Sequence, residues 1–119
     1  MKVLIVDDAT LARTMLRKVV EECGISNIFE AQNGTEAVQI FEKEQPNLVI
    51  MDITMPDMDG ITATKKILEL DNSANVIVCS ALGQKEVVME AIQAGAKHYI
   101  VKPFDGIQVI SIIKSMLGI

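Results

Sequence analysis

The chain has 119 residues and a formal charge of −5 at pH 7, from 11 basic and 16 acidic side chains. Half of the residues are hydrophobic and 23% are charged, enough apolar side chain for one compact domain over residues 1–119 and too little polarity for a disordered chain. The acidic balance, with no Lys/Arg cluster larger than a pair, argues against nucleic acid or an anionic membrane as partner.

The chain opens on a strand pattern at Lys2–Val6, whose apolar run is too short for the core of a secretory signal. No stretch approaches the ~20 apolar residues of a membrane span. Two cysteines without metal spacing, Cys23 and Cys79, read as small core residues of a reduced, cytoplasmic protein. In the first helical segment Leu11, Met15, Val19 and Cys23 recur at i+4 with Leu16 and Val20 beside them. Arg13, Arg17, Glu21 and Glu22 fall on the other side, and Gly24 marks the end. The second strand, Asn27–Ala31, alternates more than the others and suits a sheet edge. Asn33 with Glu36 predicts the cap of the second helix.

The third strand is expected at Asn47–Met51 and the third helix after Gly60, whose backbone freedom serves the turn. A fourth strand at Asn75–Cys79 leads to a helix closed by Gly95, and a fifth at Lys97–Val101 to a helix opened by Asp105 with Gln108. Pro46, Pro56 and Pro103 fall in loops or at strand edges. In the last helix Val109, Ile110, Ile112, Ile113, Met116 and Leu117 cover an arc of about 160°, wider than the ~100° that core packing needs, which leaves a dimer contact open. The seven methionines read as core filler, with Met55 and Met58 flanking the loop after the third strand. Strands apolar on consecutive positions, separated by crossovers of a dozen or more residues, predict an α/β fold: a parallel five-stranded sheet with helices on both faces.

Nearly every buried strand is followed by an ionisable or hydroxyl residue: Asp7 and Asp8, then Asp52, Ser80 and Lys102. In an open parallel sheet such positions converge beyond the carboxyl ends of the strands. Three carboxylates there repel, each pair by roughly 3 kcal/mol at ~5 Å and an effective dielectric near 20. Lys102 offsets one charge. The remainder calls for a hard divalent cation, Mg²⁺ with Mn²⁺ as a substitute. With Asp52 as nucleophile, attack on a phosphoryl group would yield an acyl phosphate, which Ser80 could hydrogen-bond.

Val6-Asp7-Asp8, the stretch from Met51 and Asp52 to Asp59-Gly60, Ser80-Ala81, Ala94-Gly95-Ala96, Tyr99 and Lys102-Pro103-Phe104 together resemble the receiver domain of two-component response regulators. The likeness spans the whole chain and is to the stand-alone, chemotaxis (CheY-like) type. It implies a flavodoxin-like (βα)₅ three-layer sandwich with strand order 2-1-3-4-5. It also implies that Asp52 accepts a phosphoryl group from a phosphohistidine on a sensor histidine kinase (CheA-like). By the same resemblance Asp8 and Asp52 bind Mg²⁺ directly, Asp7 assists through water, and Thr54 adds its backbone carbonyl. Lys102 would contact the phosphoryl group, Ser80 would swing toward it, and Tyr99 would turn from exposed to buried. Lys102-Pro103 is similar to a bond held cis in the family.

With no output domain expected after residue 119, the signal would leave a monomeric chain through protein contacts. The targets expected are a motor-switch or adaptor protein, met on the fourth helix, fifth strand and fifth helix. A phosphorelay intermediary, passing the group to a second histidine protein, is the alternative, and a phosphorylation-independent interaction module is another. An aspartyl-phosphate phosphatase or mutase fits poorly, because Thr54 stands where such enzymes place a second Asp. A flavin carrier fits poorly because Asp7 and Asp8 would repel its phosphate. Leu82, two residues after Ser80, is apolar and should not orient a hydrolytic water, so dephosphorylation would rely on a separate phosphatase. His98 reads as a surface residue.

Overall fold

The computed structural model describes residues 1–119 except Pro56 and Leu82, so what the sequence suggests for those two positions lies outside the described residues. The chain alternates β1 (Lys2–Val6), α1 (Thr10–Glu22), β2 (Asn27–Ala31), α2 (Gly34–Glu44), β3 (Leu48–Asp52), α3 (Gly60–Leu70), β4 (Val76–Ala81), α4 (Lys85–Ala94), β5 (His98–Lys102) and α5 (Gly106–Leu117). All strand pairings are parallel and the order is β2-β1-β3-β4-β5. The alternating β2 does take an edge, with β5 at the other.

Period-two alternation divides each central strand between two cores. Val3, Ile5, Leu48, Ile50, Ile77 and Cys79 face Leu16 and Val20 of α1 and Val109 and Ile113 of α5. Leu4, Val6, Val49, Met51, Val76 and Val78 face Phe41 of α2, Ile67 of α3 and Ala91 of α4. Strands buried on both faces must be apolar at every position, which is why these segments read as unbroken aliphatic runs. Each fully buried aliphatic side chain contributes about 1.5–3 kcal/mol.

Three strands sit at least one residue later than their sequence patterns suggest. Asp52 and Lys102 are the final residues of β3 and β5, and Ser80 lies inside β4. Apolarity ends before the ladder does, since the Ile53 amide still donates to the Cys79 carbonyl at 3.0 Å. At the opposite edge Asn47, Asn75 and Lys97 drop out of the strands and tie them by side chain. Asn47 Oδ1 accepts from the Lys2 amide at 2.7 Å, Asn75 Nδ2 donates to the Asn47 carbonyl at 3.1 Å, and Lys97 Nζ donates to Asn75 Oδ1 at 2.7 Å.

The predicted face of α1 is also displaced. Leu11 and Met15 are exposed, whereas Arg13 is buried among polar partners. With Met89 exposed on α4 as well, the methionines are not all core filler. In α5 only Val109 and Ile113 are fully buried, with Ile112, Met116 and Leu117 packed at the margin. Asn33 caps α2 as expected, its Oδ1 accepting from the Glu36 amide at 2.9 Å. Asp105 caps α5 through Ile107, one position nearer than the spacing to Gln108 suggests.

Gly60 has no left-handed backbone; its need is for space, not conformational freedom. Its amide donates to the Ile53 carbonyl at 2.8 Å, and a Cβ would overlap the Asp52 carbonyl oxygen and stand 2.7 Å from Ile53 Cα. Backbone cannot yield as a flexible side chain would. Gly60→Ala should therefore cost about 3 kcal/mol of stability, the upper part of the overpacking range, read as a lower urea midpoint at unchanged m-value.

Candidate functional site

The carboxyl ends of β1, β3 and β5 bring Asp7, Asp8, Asp52 and Lys102 together although they are spread over most of the chain. Asp7 starts the loop after β1 and extends the β2 ladder by donating its amide to the Ala31 carbonyl at 3.1 Å. It is 1% exposed, and its other polar atoms are engaged. Oδ1 accepts from the Ala9 amide at 2.9 Å, Oδ2 from Lys102 Nζ at 2.7 Å, and the carbonyl from Arg13 Nη1 at 2.7 Å. Asp8 is exposed beside it. Asp52 is buried at the mouth of β3. One oxygen from each of the three carboxylates lies within 4.8 Å of the others.

Lys102 reaches this cluster from the edge strand, its stem crossing β4 to bring Nζ 3.4 Å from Asp52 Oδ1. The bond to Pro103 is cis. Burial works against the ammonium, but the hydrogen bond to Asp7 and the charges of Asp52 and Asp7 outweigh it and hold its pKa above the ordinary value. Burial first and the charge of Asp7 second push the Asp52 carboxyl up to about 6, with Lys102 only partly opposing them. Two carboxylates on one ammonium leave negative charge in excess, and the donor set is entirely hard oxygen, the set that suits Mg²⁺. Asp7 has both oxygens committed, so Asp8 and Asp52 carry those most open to a cation.

Ser80 is 2% exposed, on β4 between the acidic cluster and β5. Tyr99, on β5, is 52% exposed and borders an apolar groove of about 430 Å³ between α4 and β5, which Ser80, Val88, Ile92 and Val101 also line. Thr54 is exposed in the loop after β3, where its Oγ1 accepts from Gln84 Nε2 at 3.2 Å. Gln84 Oε1 in turn accepts the Ala81 amide at 2.7 Å, joining the loops on either side of the site. Met55 is buried and Met58 half-buried beside them, and His98 is exposed away from the acids.

Two contributors escaped sequence reading. Gln84 carries no signal, as one amide in a loop. Arg13 had one: it stands four residues before Arg17 on α1, and a lone Glu30 interrupts the neighbouring strand. Cys79, beside Asp52 in the sheet register, is buried, and burial pushes its thiol up to about 12.

The raised Asp52 value has a sign that can be tested. The folded state holds this proton more tightly than the unfolded chain, so ionising Asp52 costs stability as pH rises from 4 through 6. Without divalent metal, Asp52→Asn should be more stable than the parent above pH 6 by about 1–2 kcal/mol, allowing for solvent screening at the open mouth of the site. The gap should close near pH 4, as read by thermal melts across pH.

The model of the response regulator receiver domain family matches residues 3–114. The chain is 48% identical over 117 residues to chemotaxis protein CheY of Bacillus subtilis (strain 168), covering 98% of each chain. It is 48% identical over 115 residues to chemotaxis protein CheY of Thermotoga maritima, covering 97% of this chain and 96% of the other. The CheX–CheY–BeF₃–Mg²⁺ complex from Borrelia burgdorferi contains a chain that superposes with a TM-score of 0.92 at 39% identity, over 98% of this chain and 89% of that one. No helix among the described residues is long and apolar enough to cross a membrane. With sequence, strand order and acidic cluster in agreement, the chain belongs to the response regulator receiver domain family and is closely related to the CheY regulators of chemotaxis.

Proposed function

We propose that residues 1–119 form one receiver domain, a cytoplasmic and monomeric switch phosphorylated on Asp52 by a sensor histidine kinase in a Mg²⁺-dependent reaction. The observation that carries this reading is the meeting of Asp7, Asp8 and Asp52 within 4.8 Å, with Lys102 bridging two of them. Asp8 and Asp52 would hold the cation directly, Asp7 through water and Thr54 through its carbonyl. The cation supplies positive charge to the equatorial oxygens of the transferring group.

Asp52, ionised above pH 6, attacks the phosphorus of a phosphohistidine. The new O–P bond forms as the N–P bond breaks, and the imidazole leaves with the electron pair. Lys102 neutralises charge on the phosphoryl oxygens, and Ser80 donates its hydroxyl to the product. Moving Ser80 toward the phosphoryl group vacates part of the apolar groove, and the Tyr99 ring enters it. Phosphorylation biases these two arrangements only by the difference in its interaction with each. A motor-switch or adaptor protein in chemotaxis then reads the face of α4, β5 and α5. Hydrolysis of the acyl phosphate, slow unless a separate phosphatase assists, resets the switch, and no nucleic acid or membrane takes part.

Incubation with acetyl phosphate and Mg²⁺ should add one phosphoryl group to Asp52, located by mass. The label should be absent with excess EDTA and in Asp52→Asn. Lys102→Ala should slow labelling by about 10²-fold or more, as expected for loss of a preorganised charge at the transferring group. Normal labelling of Asp52→Asn would overturn the assignment.

A further inference from the structure

Arg13 lies in the first turns of α1, where helical periodicity places it among solvated charges, yet it is 8% exposed. Nη1 donates to the Asp7 carbonyl at 2.7 Å, Nη2 to Thr10 Oγ1 at 3.2 Å, and Nε to Glu30 Oε1 at 3.0 Å. Glu30, on the edge strand β2, is held from the other side by Arg17, whose Nε donates to Oε2 at 2.8 Å. Burial works against ionised Glu30, but the hydrogen bonds from Arg17 and Arg13 prevail and keep its carboxyl below the ordinary range. A guanidinium fork held by a carboxylate keeps a fixed orientation.

That orientation aims Nη1 at the last backbone acceptor before Asp8. The cap residue Ala9 offers α1 no side-chain bond, so beside the Asp7 carboxylate on the Ala9 amide it is Arg13, from within the helix, that ties α1 to the loop bearing the acidic pair. We infer that Arg13, framed by Glu30 and Arg17, is a positioning residue for the divalent cation: it fixes the Asp7 carbonyl and thereby the pose of the Asp8 carboxylate against Asp52. The inference deepens the functional reading above and rests on it. Groups that orient metal ligands from behind typically account for 10–100-fold in metal affinity.

The test measures Mg²⁺ affinity by calorimetry on the full chain, the metal-free melting temperature, and the acetyl phosphate labelling rate at saturating Mg²⁺. Arg13→Met should weaken Mg²⁺ binding about 10-fold or more, with the saturated rate within about twofold of the parent. Arg13→Lys keeps the charge but loses the fork, and should recover only part of the loss. Glu30→Gln should weaken binding in the same direction by a smaller factor. Val20→Ala loosens the packing of α1 without touching the loop, and should leave Mg²⁺ affinity unchanged while lowering the melting temperature. Unchanged affinity in the Arg13 variants would overturn the inference alone, as would a loss in Val20→Ala equal to that in Arg13→Met. If Arg13→Met does not fold, Arg13→Lys and Glu30→Gln decide by the same criterion. A parent protein that takes up no Mg²⁺ would overturn the functional reading and this inference with it.

Discussion

One ammonium divided between two carboxylates organises the carboxyl edge of this sheet. Lys102 comes from the strand farthest from Asp7 among those that build the site, and its grip spans β1, β3 and β5 at once. Asp7 is its tighter partner, at 2.7 Å against 3.4 Å for Asp52. The unequal division matters because it leaves Asp52 only partly compensated. A carboxylate with a full salt bridge is a poor nucleophile, while one wholly without a counter-charge would stay protonated in so buried a place. Asp52 sits between these limits, with a carboxyl raised to about 6.

The energetic tension is local and the rest of the molecule supports it. Two apolar layers clamp the sheet and fix the strand ends that carry the charged groups. Gly60 lets α3 begin against the Asp52 backbone. Asp7 has its amide, its carbonyl and both carboxylate oxygens engaged by the surrounding structure, so the immobile member of the acidic pair braces the exposed one. Rigidity behind the site and incomplete neutralisation within it suit the acceptor role proposed for Asp52.

The fold was legible because strands covered on both faces write themselves as unbroken aliphatic runs, and because Gly24, Asn33 and Gly95 punctuate the helices. The site was legible because buried strands rarely end in carboxylates without a use for them. Strand boundaries were harder to read. Asp52, Ser80 and Lys102 look like the first residues past an apolar run, yet hydrogen bonding carries the strands through them, while Asn47, Asn75 and Lys97 lie just outside the strands, keep a backbone bond to the neighbouring strand and add side-chain ties. The buried face of α1 was misjudged for a related reason. Periodicity assigns an arginine to water, and only the tertiary meeting of Arg13 with Glu30 and the Asp7 carbonyl makes its burial affordable. The strand order came from likeness to a family, since local pattern cannot say which strands are neighbours.

Cys79 stands next to Asp52 across the β3–β4 pairing, with its sulfur sealed in the core. With its pKa near 12, almost no thiolate exists at neutral pH, and thiolate is the form that attacks electrophiles and reacts with peroxide. Sulfur is intrinsically a better nucleophile than a carboxylate, so an ionised cysteine at this distance would compete for incoming donors and expose the centre to oxidative damage. Withheld in its protonated form, it fills volume beside Asp52 and leaves the neighbouring carboxylate oxygen without a sulfur rival.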